Sequence, residues 1–257
     1  MLETSFLSVA LEAAKAAEAV IRRYYKADFE IELKADQSPV TIADIETEKT
    51  IRDIILGAFP EHGFYGEETG KTNSHADYLW LIDPIDGTKS FVREYPFFST
   101  QIALMYKGQI ITGVSNGLMF NELAWASRGN GAFLNGERLY VSKITELEAA
   151  SLSTGNIASL ASDSHAWGTL AEIMTRVNRT RGYGDFYHYH LLASGKIDLI
   201  IESDVNILDI AALSLIVEEA GGCFSDLDGD PITLDTVSVM ASANSVLQDE
   251  VLKRFRG

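Results

Sequence analysis

Apolar residues in the first 25 positions recur with helical spacing: Phe6, Val9, Ala10, Ala13, Ala17, Val20, Ile21 and Tyr24 mark one face of an amphipathic helix over 2–25. Alternation at Phe29, Ile31 and Leu33 reads as a strand, and 34–39 as a loop. A second helix is expected over 41–59, with Ile45, Ile51, Ile54, Ile55 and Ala58 as its buried stripe, stopped by Pro60 to Gly63. A short strand follows at 64–66, and Trp80-Leu81-Ile82 reads as a buried strand. The span 97–125 predicts long antiparallel strands with turns at Lys107-Gly108, Asn116-Gly117 and Phe120-Asn121; 132–141 predicts a hairpin turning at Asn135-Gly136. Beyond it come a strand at 151–154, a helix at 165–177, a helix ending at Ser194, a strand at 197–202 and a helix at 209–220 closed by Gly221-Gly222. Such alternation predicts an α/β layered fold, divided near 143–150 into subdomains 1–145 and 146–257. No internal repeat or low-complexity segment interrupts it.

Composition narrows the function. With 257 residues, 46% of them hydrophobic, the chain can bury a substantial core. Its 37 acids against 21 Lys and Arg give a net charge of −16, which argues against nucleic acid as a partner and suits cation binding. Cys223 is the only cysteine, so no disulfide forms within the chain, and a reduced, cytoplasmic setting is expected. The N-terminus lacks the pattern of a secretory signal, and no apolar run is long enough to span a membrane.

The stretch Trp80-Leu81-Ile82-Asp83-Pro84-Ile85-Asp86-Gly87-Thr88 delivers two acids at the end of an apolar run. Pro84 fixes its own φ and biases Asp83 toward extended backbone, so the carboxylates of Asp83 and Asp86 can converge. Convergent carboxylates repel unless a cation lies between them, and an oxygen-only set suits magnesium better than zinc or iron. Gly87 and Thr88 offer backbone N–H groups for an anion if a helix starts there. A strand ending in a turn would also use Asp, Pro and Gly. Gly66-Glu67-Glu68 upstream and Asp209 downstream make that plainer reading hard to sustain, because three separated acidic groups all fall at element ends. Asp44 is either a favourable charge at a helix N-terminus or a catalytic carboxylate, and Asp209 taken alone is an N-cap. Asp226 to Asp230 fails the spacing of a calcium loop and reads as a turn. His188 and His190, two apart on a helix, point away from each other and read as polar packing.

Taken together, Lys34, Ser38-Pro39-Val40-Thr41 with Asp44, Gly66-Glu67-Glu68, Asp83 to Thr88, Asp209 and the run Ile216 to Gly222 resemble the inositol monophosphatase family of metal-dependent phosphatases over nearly the whole chain. Leu208 departs from the pattern, since the family usually has tryptophan there. The resemblance implies an αβαβα sandwich, a homodimer, two to three magnesium ions and competitive inhibition by lithium. It implies that Glu67, Asp83 and the Ile85 carbonyl hold one ion and that Asp83, Asp86 and Asp209 hold a second, with Glu67 helping a third. Thr88, paired with Asp44, would orient the attacking water; Gly87 and Thr88 N–H groups would hold phosphate oxygens.

For the substrate, Arg181-Gly182-Tyr183-Gly184-Asp185-Phe186-Tyr187-His188-Tyr189 resembles the histidinol-phosphate phosphatases of that family, with His188 in place of a glycine. Asp185 would pair with a substrate ammonium, while Glu202 matches a hydroxyl-binding glutamate of inositol-cleaving relatives. Lys34, Arg181, Asp185 and Glu202 are therefore the expected substrate contacts, with histidinol phosphate the favoured ester. The alternatives are inositol 1-phosphate or a sugar phosphate, a haloacid-dehalogenase-like phosphatase, and a non-enzymatic accessory role in binding a protein.

Overall fold

The computed structural model describes residues 2–27, 31–33 and 39–256, so Phe29, Lys34 and all of the expected 34–39 loop but Pro39 lie outside the described residues. The chain begins with α1 (Leu2–Tyr24), whose fully buried Ala10, Ala13, Ala14 and Ala17 let its backbone lie close on the layer beneath. β1 (Ile31–Leu33) and β2 (Pro39–Thr41) pair antiparallel and lead into α2 (Ile42–Ala58). Then come β3 (Gly63–Gly66), β4 (Gly70–Thr72), β5 (Tyr78–Asp86), the short helix α3 (Thr88–Val92), β6 (Ser99–Tyr106), β7 (Gln109–Gly117), β8 (Glu122–Ser127), β9 (Gly131–Leu134) and β10 (Glu137–Arg138). Strands β3 to β10 form one 8-stranded sheet in the order β10-β9-β8-β7-β6-β5-β3-β4, antiparallel except where β3 meets β5.

The second part supplies β11 (Ser151–Thr154), α4 (Ala158–Ser162), α5 (Ser164–Arg176), β12 (Arg179–Arg181), α6 (Asp185–Ala193), β13 (Leu199–Ser203), α7 (Ile207–Glu219), β14 (Cys223–Ser225), β15 (Ser238–Ser242) and α8 (Ser245–Phe255). Its 5-stranded sheet runs β12-β11-β13-β15-β14. The segment 143–150 falls between the two sheets.

Side-chain alternation sorts the layers. On β5, Trp80 and Ile82 pack with Ile51 and Ile55 of α2 and the alanines of α1, whereas Leu79 and Leu81 pack with α6 and α7. On β13, Ile200 faces α6 and α7 while Leu199 and Ile201 face α5 and α8. Helices, sheet, helices, sheet, helices: this is the expected αβαβα sandwich, and α7 is its middle. That position explains a helix buried on all sides from Ile207 to Val217, with no amphipathic stripe. Among the described residues no helix is long and apolar enough to cross a membrane.

Two expectations change. The inward face of α2 is Ala43, Asp44, Thr47, Glu48, Ile51 and Ile55; Ile45 is exposed, because the first turns of the helix face a polar site rather than the core, and Ala58 is exposed at the helix's last residue. Asp209 is not an N-cap: α7 begins at Ile207, Asn206 caps it, and Asp209 is the third helical residue. The helix α4 was not anticipated.

Gly113 of β7 sits where α7 crosses the sheet, and a Cβ there would lie 2.7 Å from the Ala212 carbonyl oxygen and 3.0 Å from its Cα. Gly113→Ala is therefore expected to destabilise the protein by about 1–3 kcal/mol through overpacking, lowering the urea midpoint at constant m. An unchanged midpoint would mean that the helix does not depend on this close approach.

Candidate active site

Asp83 continues the parity of Leu79 and Leu81, so it faces the α7 side of the sheet. Asp86 is an odd number of residues further on and in a regular strand would face the other way. The register prevents this: Asp83 lies opposite Gln101 and Asp86 opposite Ser99, three steps on β5 against two on β6. This bulge restores Asp86 to the face of Asp83 and accommodates Pro84, which has no N–H for the ladder.

α7 brings the third acid. Asn206 accepts from the Leu208 N–H at 2.7 Å, and the Asp209 carboxylate accepts from the Asn206 N–H at 3.0 Å and its side-chain amide at 2.8 Å, a reciprocal capping box. Carboxylate oxygens of Asp83, Asp86 and Asp209 then lie within 4.8 Å of one another. Burial, with the charges of Glu67, Asp86 and Asp209, pushes Asp83 well above the usual carboxylate range. Burial and the neighbouring acids Asp209 and Asp185 do the same to Asp86, against a hydrogen bond from Ser99. Burial takes Asp209 to about 7. Three mutually repelling oxygen donors, Asp83 buried and Asp209 half-buried, fit a hard divalent cation.

Glu67 follows β3 and adds its charge to Asp83; its N–H donates to the Ile82 carbonyl at 3.2 Å. The loop that carries it is tied down by Glu48, whose two oxygens accept from the N–H groups of Glu68 at 2.7 Å and Thr69 at 2.9 Å. Glu48 is fully buried and was missed from sequence. The signal was present: it lies four residues after Asp44 and three before Ile51, on the same helix face.

Gly87 has φ 86°, and a Cβ there would come within 2.6 Å of the Phe97 carbonyl, so the turn from β5 into α3 requires glycine. The Thr88 hydroxyl that follows reaches the Ile85 carbonyl at 3.1 Å and Asp44 Oδ1 at 3.4 Å. Asp44 is fully buried, and its other oxygen accepts from the Thr41 N–H at 2.7 Å and hydroxyl at 2.6 Å. Its capping role and its position beside Thr88 are thus held together, and neither of the two alternatives excludes the other.

Of the expected substrate contacts, Asp185 and Glu202 line a cavity of ≈ 20 Å³ together with Asp86, Asp209, Asn156 and Tyr189. Asp185 opens α6 in the left-handed region at φ 45°, and burial reinforced by the Glu202 charge lifts it to about 6. Glu202 is already engaged: it accepts from the Asn156 N–H at 3.1 Å and the Tyr189 hydroxyl at 2.8 Å, and meets His188 Nε2 at 3.1 Å. Burial pushes its carboxyl up, but these partners outweigh that and hold it below its usual range. Arg181 does not reach the cavity. It is exposed on the edge strand β12, donating to the Thr180 carbonyl at 2.7 Å. Lys34 lies outside the described residues. His188 and His190 diverge as expected, the first to Glu202 and the second to Glu122. Asp226 does close a turn, accepting from the N–H groups of Asp228 and Asp230.

The inositol monophosphatase family model matches residues 2–257. The histidinol-phosphatase of Mycobacterium tuberculosis is 37% identical over 255 residues, covering 97% of both chains. The inositol-1-monophosphatase of Caulobacter vibrioides is 33% identical over 254 residues, covering 96% of this chain and 99% of that one. Among solved structures, the extragenic suppressor protein suhB from Bartonella henselae aligns with a TM-score of 0.89 at 30% identity over 98% of both chains.

Carboxyls whose folded pKa is raised favour the folded state while protonated. For Asp209 that contribution is whole below about pH 4, where unfolded carboxyls titrate, and is lost as pH rises through about 7; Asp83 and Asp86, raised in the same direction, act with the same sign. Metal-free protein should therefore melt at a lower temperature at pH 8 than at pH 5.5, and Asp86→Asn should flatten that slope by removing one of the repelling charges. Melting that is flat with pH in metal-free wild type would contradict the repulsion.

Proposed function

Because the chain belongs to the inositol monophosphatase family, we propose that it is a magnesium-dependent phosphomonoesterase whose favoured substrate is histidinol phosphate. The cluster of Asp83, Asp86 and Asp209 carries the phosphatase reading. Glu67, Asp83 and the Ile85 carbonyl would hold one ion, Asp83, Asp86 and Asp209 would hold a second, and Glu67 would assist a third. When bound, the ions supply Lewis acidity, lowering the pKa of water and stabilising charge on the leaving oxygen.

The chain's own groups do the rest. The Thr88 hydroxyl gives its one proton to the oxygens behind it, the Ile85 carbonyl at 3.1 Å or Asp44 Oδ1 at 3.4 Å, which leaves a Thr88 lone pair free to accept from water and aim it at phosphorus. N–H groups of Gly87 and Thr88 bind phosphate oxygens at the start of α3. Water forms the new P–O bond as the ester P–O bond breaks, and the leaving oxygen takes up a proton. The assembly is a homodimer working in the cytoplasm.

Asp185 supports a cationic substrate. It lines the cavity on the specificity side, whereas three partners within the chain, His188, Tyr189 and Asn156, already engage Glu202. Likeness to the histidinol-phosphatase at 37% identity points the same way, and likeness to the inositol-1-monophosphatase at 33% keeps the inositol ester as the second reading.

Phosphate release from histidinol phosphate, inositol 1-phosphate and a generic sugar phosphate at fixed magnesium is the test, read as kcat/KM. Histidinol phosphate should lead. Asp185→Asn, which tolerates the left-handed backbone, should cost it about 10- to 100-fold, the worth of one charged hydrogen bond, and the neutral esters far less. Equal losses on all three would remove Asp185 from specificity, and a preference for inositol 1-phosphate would establish the second reading.

A further inference from the structure

Asp86 has a second set of neighbours that the hydrolytic machinery does not use. Its Oδ2 accepts from the Ser99 hydroxyl at 3.0 Å, Ser99 Oγ accepts from Gln101 Nε2 at 2.7 Å, and the same amide nitrogen reaches Ser115 Oγ at 3.0 Å. Ser115 Oγ lies 2.9 Å from His190 Nε2, and His190 Nδ1 lies 2.9 Å from the Glu122 carboxylate. Ser99, Gln101, Ser115 and His190 are each at most 1% exposed. The row starts at Asp86 on β5, crosses β6 and β7, passes to α6 and ends at Glu122, the first residue of β8.

Its polarity follows from counting protons. The Gln101 amide nitrogen has two hydrogens and gives one to each serine. Each serine has one proton, which must then point outward, to Asp86 on one side and to His190 Nε2 on the other. An accepting Nε2 leaves the ring proton on Nδ1, directed at Glu122. Every donor points away from Gln101 toward a carboxylate. A row of single-proton groups between two acids needs a centre that donates twice, and an amide nitrogen does so. Turning the amide over would draw both hydroxyls inward and strip Asp86 of its donor. The orientation has a cost, since Gln101 Oε1 is buried without a partner.

We propose that Gln101 is a positioning residue for Asp86, acting through Ser99 to fix the orientation of that carboxylate within the acid cluster before a cation arrives. The inference rests on reading Asp86 as a cation ligand. Partners of this kind commonly set metal affinity, and losing one weakens it about 10- to 100-fold.

The test uses the full metal-free chain and two readouts. In calorimetric titration with magnesium chloride, Gln101→Met should bind about 10-fold more weakly than wild type, with no loss of metal-free melting temperature, because the orphaned oxygen goes with the amide. In ¹⁵N spectra of the histidine rings, His190 should be the Nδ1-protonated tautomer. Should Gln101→Met fail to fold, Ser99→Ala carries the same expected loss of affinity. Equal magnesium affinity in wild type and variant, or an Nε2-protonated His190, overturns the inference alone. Wild type that binds no magnesium overturns the reading of Asp86 as a ligand, and the inference falls with it.

Discussion

Buried carboxylates that repel one another are the constraint on which this structure turns. Asp83, Asp86 and Asp209 come from a strand and from a helix far away in sequence, and each is pushed above its usual titration range largely by the burial the fold imposes. Such a cluster is unfavourable by itself, so the surrounding structure must over-determine it. The α7 helix is gripped between two sheets, β5 is a central strand packed on both faces, and Glu48 ties the loop bearing Glu67 to α2. Without a rigid frame the acids would part, and the site would relax into three ordinary surface charges.

The two helices that aim acids into the site use one device. In α2 the pair Thr41 and Asp44, and in α7 the pair Asn206 and Asp209, form capping boxes in which the third helical residue is the acid that the proposed chemistry uses. A carboxylate there receives backbone donors and the favourable end of the helix dipole, which offsets part of its burial. The capping role and the proposed chemical role therefore fall on the same residues, Asp44 and Asp209. That coincidence is why a helix-start signal and a catalytic signal could not be separated from sequence.

Much of the architecture was nonetheless legible. Helical spacing marked α1, and the apolar run before Asp83 marked β5, because both report one-sided or complete burial that periodicity records directly. The layered order followed from alternation of elements. What stayed hidden depended on contacts between distant segments. Parity alone would have separated Asp83 from Asp86, and the bulge that reunites them exists only in the register with β6. The polar inward face of α2 escaped a reading that looked for isoleucines, so Ile45 was misassigned and Glu48 overlooked. The partners that engage Glu202, namely His188, Tyr189 and Asn156, were equally hidden, because they lie at separate places in the chain.

Proton release on magnesium binding tests the central claim most directly. Metal-free protein in weakly buffered solution at about pH 7 should give up protons as magnesium is added, since Asp209 lies at about 7 and Asp83 and Asp86 are raised, and a cation replaces the protons they hold. The release should shrink as the starting pH is raised, when the acids are already ionised. Magnesium binding with no proton release at any pH would contradict the account, because the cluster would then not be the repulsive, proton-holding site from which its chemistry has been derived.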